Sequence, residues 1–270
     1  MKLLLPTILT VLSAGVFFTF TGCNSLESSS SKGQFWEREL GAVANTPEDP
    51  NDLHKQLNLK VDLIPKGKYG RRIERPLTPR YITIHSTQNP TGDAYAHAKA
   101  LKRGALRGGV VGYLCWHFTV QDDAVIQHIP TDERGEHADF DGPGNRYSIG
   151  IEMCEHQGNN QLKTMDRTAK LAASLMYHHK IPIENIRAHY HWPRAGYSTP
   201  NKNCPHFLLE NGRPGGTWSW FVGRINRHHQ RLVAHDEALQ QEEQQRREEE
   251  RRREMVFQIW DRFTGFFRIG

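Results

Sequence analysis

The chain has 270 residues, a net charge of +5 with histidine neutral, and a mean hydropathy of -0.67. With 37% hydrophobic and 24% charged residues, this composition excludes a multi-span membrane protein and a largely disordered chain. The positive charge is too small to indicate a nucleic-acid-binding protein, and four cysteines are too few for a fold built on disulfides.

The N-terminal segment predicts export. Lys2 precedes an apolar run over residues 3–20, which ends in a Gly22-Cys23 pair. A positive charge, an apolar run and a small residue in this order are typical of a signal peptide, predicted here over residues 1–22. The ending resembles a bacterial lipoprotein cleavage site, which implies cleavage before Cys23 and diacylation of its thiol. An ordinary signal peptide and an uncleaved anchor are the alternatives.

Residues 23–60 are predicted to be a flexible tether. The segment is rich in serine over residues 25–31 and in proline, aspartate and asparagine over residues 46–52, so it offers little apolar surface for a core. Lipid chains on Cys23 would hold the protein at a membrane. In many Gram-negative bacteria an aspartate after the lipidated cysteine signals retention in the inner membrane. No aspartate follows Cys23 directly, so the expected location is the periplasmic face of an outer membrane, in a host that has one.

Residues 61–233 are predicted to form one α/β domain with a mixed central sheet flanked by helices. The predicted strands are rich in β-branched and aromatic residues and cover Tyr81–His85, Tyr113–Val120, Ala124–Ile129, Ser148–Cys154 and Ile186–His189. The predicted helices carry apolar residues at helical spacing and cover Asp93–Arg103, Thr164–His179 and Trp218–Val233.

The remaining residues, 234–270, differ in pattern. Residues 242–254 are nearly all Glu, Gln and Arg, with pairs such as Glu243 and Arg247 at the i,i+4 spacing that stabilises a solvated helix. Residues 255–269 are rich in aromatic and aliphatic side chains, which are costly to expose to water. This tail is expected to dock on the domain, to self-associate or to lie on a membrane.

Three separated residues carry metal-binding chemistry. His85 and His189 each end a predicted strand, and Cys204 lies on a later loop. Two imidazoles and a thiolate are good zinc ligands, and three protein ligands leave a fourth position for water, as catalytic sites require. Glu152 is the one acid in an apolar strand, so it is either buried against a partner or placed in a site, where it would act as a general base.

Together with their surroundings, these residues resemble the zinc-dependent N-acetylmuramoyl-L-alanine amidases. Several segments match that family's motifs in their residues and in their order along the chain. They are Leu63–Gly67, Pro79–Thr87, Trp116–Val120, Gln127–Pro130, Glu136–Ala138, Asn145–Glu152 and Lys202–His206. The resemblance implies an α/β fold like that of amidases and peptidoglycan recognition proteins, with one zinc ion in a groove. It also implies hydrolysis of the amide between N-acetylmuramic acid and L-alanine of peptidoglycan.

The resemblance also implies a role for each matching residue. His85, His189 and Cys204 match the zinc ligands, and Glu152 matches a catalytic acid. Lys202 matches the lysine that stabilises the charged tetrahedral intermediate, where a cation in a site that excludes water is most effective.

Two further residues, His137 and Thr87, are expected to contact substrate, with a purely structural role as the alternative for His137. The chain departs from the family by carrying His191 two residues after the second ligand, where relatives often have Asp, so His191 is an alternative ligand to His189. Cys115 and Cys154 fall on strands that may be neighbours, and either a disulfide or two free thiols is compatible with the sequence.

The function expected from the sequence is therefore that of a lipid-anchored, zinc-dependent peptidoglycan amidase. The alternative is a non-catalytic receptor on the same fold that binds peptidoglycan without cutting it. Some family members lack the cysteine ligand and bind in this way. Retention of the predicted ligands, of Glu152 and of Lys202 favours the enzyme.

Overall fold

The computed structural model describes residues 30–108, 110–111, 113–193 and 202–266. Its helices are α1 (Ser31–Leu40), α2 (Pro50–Leu57), α3 (Ala94–Lys102), α4 (Pro143–Tyr147), α5 (Gln161–His179) and α6 (Gly216–Phe266). Its strands are β1 (Leu59–Val61), β2 (Tyr81–Ser86), β3 (Arg107–Gly108), β4 (Val110–Val111), β5 (Phe118–Val120), β6 (Val125–Gln127), β7 (Ser148–Met153), β8 (Ile186–Ala188), β9 (Leu209–Glu210) and β10 (Arg213–Pro214).

The main sheet has six strands in the order β1-β6-β5-β7-β2-β8. Neighbouring strands are parallel apart from the antiparallel β5–β6 pair, which is the predicted hairpin. The apolar strands β2 and β7 lie in the interior of the sheet, as expected for strands that are covered on both faces. The predicted α/β fold with a mixed sheet flanked by helices is confirmed.

Alternation along the strands separates the core from the site. Ile82 and Ile84 of β2 join Ile151 of β7 in the main core, which also contains residues of α5 and α6. Since successive side chains of a strand point to opposite faces, Thr83 and His85 lie on the other face of the sheet. That face is the one on which the candidate site forms.

The predicted flexible tether is wrong for its described part, because most of residues 31–61 lie in α1, α2 and β1. Trp36 of α1 packs on Trp220 of α6 with ring centroids 5.2 Å apart. Leu53 and Leu57 of α2 are fully buried. The few apolar residues of this segment are therefore enough to hold both helices, because they pack on a core that the rest of the domain supplies.

The predicted last helix and the charged segment behind it form one helix, α6, which continues through the predicted boundary at residue 233. Its first part enters the core through Phe221, Ile225 and Leu232, all fully buried. From residue 240 to residue 262 every side chain is exposed. The described end of α6 thus extends away from the domain that its beginning helps to build.

The apolar side chains near the end of α6 stay in solvent. Those with 52–69% of their surface exposed are Met255, Val256, Phe257, Ile259 and Trp260. Docking on the domain, one of the three expectations for this tail, is wrong for these residues. Among the described residues no helix is both long enough and apolar enough to cross a membrane. The predicted signal peptide and Cys23 lie outside the described residues.

Candidate metal centre and active site

His85, His189 and Cys204 converge at one edge of the main sheet. His85 lies near the end of β2, and His189 directly follows the neighbouring parallel strand β8. Because the carboxyl ends of parallel strands meet at the same edge, the two imidazoles are brought together, and the loop before α6 adds the thiol. One potential ligand atom from each residue lies within 4.8 Å of the others, and all three side chains are buried.

The geometry of these atoms fits a zinc ion. The Sγ of Cys204 lies 4.0 Å from Nδ1 of His85, close to the ~3.6 Å that tetrahedral zinc imposes between a sulfur and a nitrogen ligand. The Nδ1 of His189 is buried and has no hydrogen-bond partner among the described residues. A buried polar nitrogen without a partner is costly, and a metal ion would remove that cost.

Burial sets the protonation of the three side chains in the absence of metal. It lowers the pKa of His189 to about 4 and that of His85 well below its usual value, so both imidazoles are neutral and carry a free lone pair. Burial also raises the pKa of Cys204 to about 12, although the backbone N–H of Ser86 donates to its sulfur at 3.3 Å. Metal binding at this centre therefore displaces the thiol proton.

Glu152 adds a carboxyl group to the same edge. It pairs in register with His85 across β7 and β2, and its side chain is largely buried. Burial raises the pKa of this carboxyl to about 8, while the positive charge of Lys202 lowers it. The sequence analysis left open that Glu152 is simply buried against a partner. Its Oε2 has no hydrogen-bond partner among the described residues, which favours a place in a site instead.

Lys202 is an exposed residue two positions before Cys204. Its carbonyl accepts a hydrogen bond from the N–H of Cys204 at 2.9 Å, which links the lysine to the ligand loop. Lys202 also lines a groove of about 550 Å³, together with Gln88, Asn89, Pro90, Glu155, Asn203 and His206. Glu155 and His206 face each other in this groove with 3.4 Å between Oε2 and Nε2; neither was assigned a role from the sequence.

The structure brings His189, and not His191, to the ligand cluster. The Nδ1 of His191 accepts a hydrogen bond from the N–H of Ala188 at 2.9 Å. Its ring lies next to Trp218, with centroids 5.8 Å apart. The imidazole of His191 is thereby turned toward the backbone and α6, so it does not take part in the cluster of His85 and Cys204.

The two residues expected to contact substrate lie in different surroundings. His137 is 6% exposed and lies behind His85, with 3.0 Å between its Nδ1 and Nε2 of His85. This buried place favours the alternative expectation, a structural role for His137. Thr87 follows β2 and precedes the groove residue Gln88; its N–H donates to the carbonyl of Met153 at 3.0 Å.

A residue that sequence reasoning did not single out organises the loop of His137. The Oδ1 of Asn145 accepts hydrogen bonds from the N–H groups of His137 and Ala138, at 2.9 and 2.7 Å. Asn145 lies in a family-like segment, but nothing in the sequence links it to this loop. Cys115 and Cys154 are both free and buried, so the alternative of a disulfide between them is wrong.

The chain matches the family model described as N-acetylmuramoyl-L-alanine amidase over residues 75–207. Among curated proteins, it is 38% identical over 172 residues to the N-acetylmuramoyl-L-alanine amidase XlyA of Bacillus subtilis (strain 168), covering 63% of this chain and 51% of XlyA. It is 34% identical over 174 residues to CwlH, an N-acetylmuramoyl-L-alanine amidase of the same strain, covering 63% and 62%. The chain thus spans only about half to three fifths of the length of these relatives.

Solved structures cover the same region. The structure of the catalytic domain of XlyA matches with 36% identity and a TM-score of 0.51, over 62% of this chain and 99% of that domain. The hydrolase AmiA of Staphylococcus aureus matches with 17% identity and a TM-score of 0.52, over 77% of this chain and 95% of that one, which supports the fold alone.

Proposed function

Since the chain belongs to the N-acetylmuramoyl-L-alanine amidase family, we propose that it is a zinc-dependent peptidoglycan hydrolase. Its substrate is the amide between the lactyl group of N-acetylmuramic acid and L-alanine of the stem peptide. The observation that carries this proposal is the convergence of His85, His189 and Cys204 beside Glu152.

Each side chain has a distinct task in the proposed reaction. When bound, zinc supplies the Lewis acidity that activates water and polarises the scissile carbonyl. Glu152, in its ionised form, accepts a proton from the attacking water as the water oxygen bonds to the carbonyl carbon. It then passes the proton to the nitrogen of L-alanine as the bond between that nitrogen and the carbonyl carbon breaks. Lys202 places a positive charge near the oxygen on which negative charge develops.

The runner-up is a receptor that binds peptidoglycan without cutting it. The features that favour the enzyme are the complete set of three ligands and the general base beside them. A binding protein would need the groove but not an unpartnered carboxylate oxygen at the ligand cluster. The burial cost of such a group is easier to explain by catalysis.

Digestion of purified sacculi by the full chain tests the proposal. We expect release of free stem peptides that begin with L-alanine, identified by mass spectrometry, loss of release with a chelator, and recovery with added zinc. Catalytically inert protein that still sediments with sacculi would support the receptor. Products cut at a different bond would overturn the assigned substrate.

We further propose that the protein is an exported lipoprotein anchored through Cys23 at the periplasmic face of an outer membrane. The support is the lipoprotein-like ending of the signal peptide. Because Ser30 is already fixed by a hydrogen bond to Thr217, only seven residue steps separate Cys23 from the domain. They extend at most about 25 Å, so the anchor holds the domain close to the membrane.

Labelling with a radioactive fatty acid tests the anchor. We expect acylated protein that begins at Cys23 and fractionates with the outer membrane, and a Cys23→Ala variant without label. Soluble mature protein that begins elsewhere and carries no acyl chain would overturn this proposal without affecting the amidase.

For the exposed end of α6 we propose contact with an anionic membrane surface. At 100° per residue, Met255, Val256, Ile259 and Trp260 share one side of the helix, and Asp261 lies on the other. Three consecutive arginines, residues 251–253, precede this segment, a pattern typical of helices that lie in the interface of negatively charged membranes. Self-association as a coiled coil is disfavoured, because residues 240–254 contain no apolar side chain for a heptad seam.

Vesicle sedimentation of the chain without residues 1–22 and with Cys23→Ala tests this contact in the absence of the lipid anchor and of the predicted signal peptide. We expect binding to vesicles rich in phosphatidylglycerol, weak binding to phosphatidylcholine vesicles, and loss of binding on Trp260→Ser. The matched control Gln258→Ser changes the polar side of the same turn and retains binding. A concentration-dependent dimer that ignores vesicles would support self-association instead.

A further inference from the structure

One short segment contacts the far edges of both ligand imidazoles. The Nε2 of His85 lies 3.0 Å from Nδ1 of His137. The Nε2 of His189 donates a hydrogen bond to the carbonyl of Ala138 at 2.9 Å. His137 and Ala138 are consecutive, so a single dipeptide between β6 and α4 meets the two rings on the side opposite the thiol of Cys204.

The acceptors in this arrangement determine where each proton lies. The Ala138 carbonyl only accepts, so neutral His189 carries its proton on Nε2 and leaves the lone pair of Nδ1 for a metal. The Nε2 of His137 lies 3.4 Å from the carbonyl of Ser148, which likewise only accepts. The Nδ1 of His137 is therefore an acceptor, and His85 donates to it through Nε2. The Nδ1 of His85 then faces Cys204.

We propose that the His137–Ala138 segment is a positioning element that fixes the tautomer and the ring orientation of His85 and His189 for metal binding. The inference rests on the zinc-dependent function proposed above. His137 is accordingly a positioning residue, in place of the substrate contact expected from the sequence. Partners that accept the second N–H of a ligand imidazole typically change metal affinity by about 10- to 100-fold.

Two neighbours hold the segment in place. Asn145 binds the N–H groups of both His137 and Ala138 through one oxygen, and its Nδ2 donates to Oε2 of Glu136 at 2.9 Å. The ring of His137 lies against Gly150 of β7, where a Cβ atom would come within 2.8 Å of three ring atoms. Only glycine at this position leaves room for the imidazole to reach His85.

Zinc affinity of the purified full chain, measured by competition with a chelator, tests the proposal. His137→Phe keeps an aromatic ring but removes the acceptor, and we expect zinc to bind about 10- to 100-fold more weakly. Gly150→Ala keeps the imidazole but displaces it, and should also weaken binding. His191→Phe is the matched control, because this imidazole is bonded to the backbone of Ala188; its zinc affinity should stay within about twofold of the parent.

A second measurement detects the tautomers directly. Nitrogen-15 NMR of the metal-free chain should show His85 and His189 as Nε2–H tautomers. In His137→Phe the spectrum of His85 should lose this preference while that of His189 keeps it, a change that a merely structural role would not produce. Finding Nδ1–H on His85 in the parent, or unchanged zinc affinity in a folded His137→Phe, would overturn the inference. A parent chain that binds no zinc would instead overturn the proposed function.

Discussion

Glu152 stands directly beside His85 in the parallel pairing of β7 with β2, and its Oε1 lies 3.9 Å from Nδ1 of His85. The side chain reaches the ligand cluster because both residues point to the face of the sheet that is opposite α5. Its second oxygen is buried without a hydrogen-bond partner among the described residues. In its ionised form, which the positive charge of Lys202 favours against burial, a carboxyl group in this position can receive a proton from an attacking water.

We therefore expect Glu152→Gln to retain zinc and to lose hydrolysis by about 100-fold or more, since an amide cannot accept the proton. Metal content and the rate of peptide release from sacculi measure the two effects separately. The control Glu184→Gln changes an exposed carboxylate outside the site and should retain the parent rate. An unimpaired Glu152→Gln would exclude this residue as the general base.

Cys204→Ser should lose zinc and activity together. A hydroxyl is a much poorer zinc ligand than a thiolate, and the buried sulfur is the only thiol in the ligand cluster that the structure describes. Elemental analysis after dialysis gives the zinc content. Cys154→Ala removes another buried thiol and should leave the zinc content unchanged. Full zinc occupancy in Cys204→Ser would show that the cluster is not the binding site.

Lys202→Met should lower the rate of hydrolysis about 100-fold or more with zinc retained. The substitution preserves much of the side-chain volume but removes the positive charge that faces the developing oxyanion. Lys163→Met removes an exposed lysine at the start of α5 and serves as the control. A Lys202→Met variant with the parent's kcat would remove the lysine from the catalytic step.

The stability of the metal-free chain should fall as the pH decreases below about 6.5. Burial lowers the pKa of His117 to about 4 and that of His128 to about 3. The unfolded chain therefore binds more protons than the folded one between pH 6.5 and these values, and acid favours unfolding. Each unit of pKa shift corresponds to about 1.4 kcal/mol, so the combined loss toward pH 4 is on the order of several kcal/mol.

Urea unfolding with a chelator at pH 7.5 and at pH 5 measures this loss. His128→Asn should flatten the pH dependence, because it removes one buried imidazole. His54→Asn changes an exposed histidine of α2 and should leave the dependence as in the parent. Equal free energies of unfolding at the two pH values would contradict the prediction.

Trp36→Ala should lower the free energy of unfolding by about 3 kcal/mol, because it deletes a large buried ring that packs on Trp220. We also expect faster proteolysis within α1. Phe35→Ala is a matched control from the same helix, since Phe35 is 48% exposed and its loss should change stability by less than about 0.5 kcal/mol. Equal effects of the two substitutions would mean that α1 does not dock.

The sequence predicted the central sheet and the placement of the ligands for a clear reason. Strand ends carry His85 and His189, and the pairing of parallel strands brings such ends together. The family-like segments supplied the roles of Cys204, Glu152 and Lys202. Hydrogen bonding between His137 and His85, 52 residues apart, could not be predicted in this way, because it depends on a ring packing against the bare backbone of Gly150.

The sequence analysis did not predict the docking of α1 and α2, because it relied on the polar composition of residues 23–60 and not on the helix-capping residues within them. Ser30 and Asp49 each cap a helix by accepting from a backbone N–H, and Pro50 begins α2. Leu53 and Leu57 lie at the i,i+4 spacing of a buried helix face. These signals were present in the sequence, but whether so small an apolar face finds a partner depends on the surface that α5 and α6 present.

Because α6 is one continuous helix, it determines both the distance of the apolar residues 255–260 from the domain and their rotation about the helix axis. From Thr217, which is bonded to Ser30, to Met255 the helix rises about 57 Å, and each residue turns the following chain by about 100°. An insertion of two residues among residues 240–254 would therefore rotate the exposed apolar side by about 200° around the axis while adding only about 3 Å. An insertion of seven residues would lengthen the helix by about 10 Å and nearly restore its phase. The length and phase of α6 thus fix the direction in which the C-terminal apolar side faces relative to the domain.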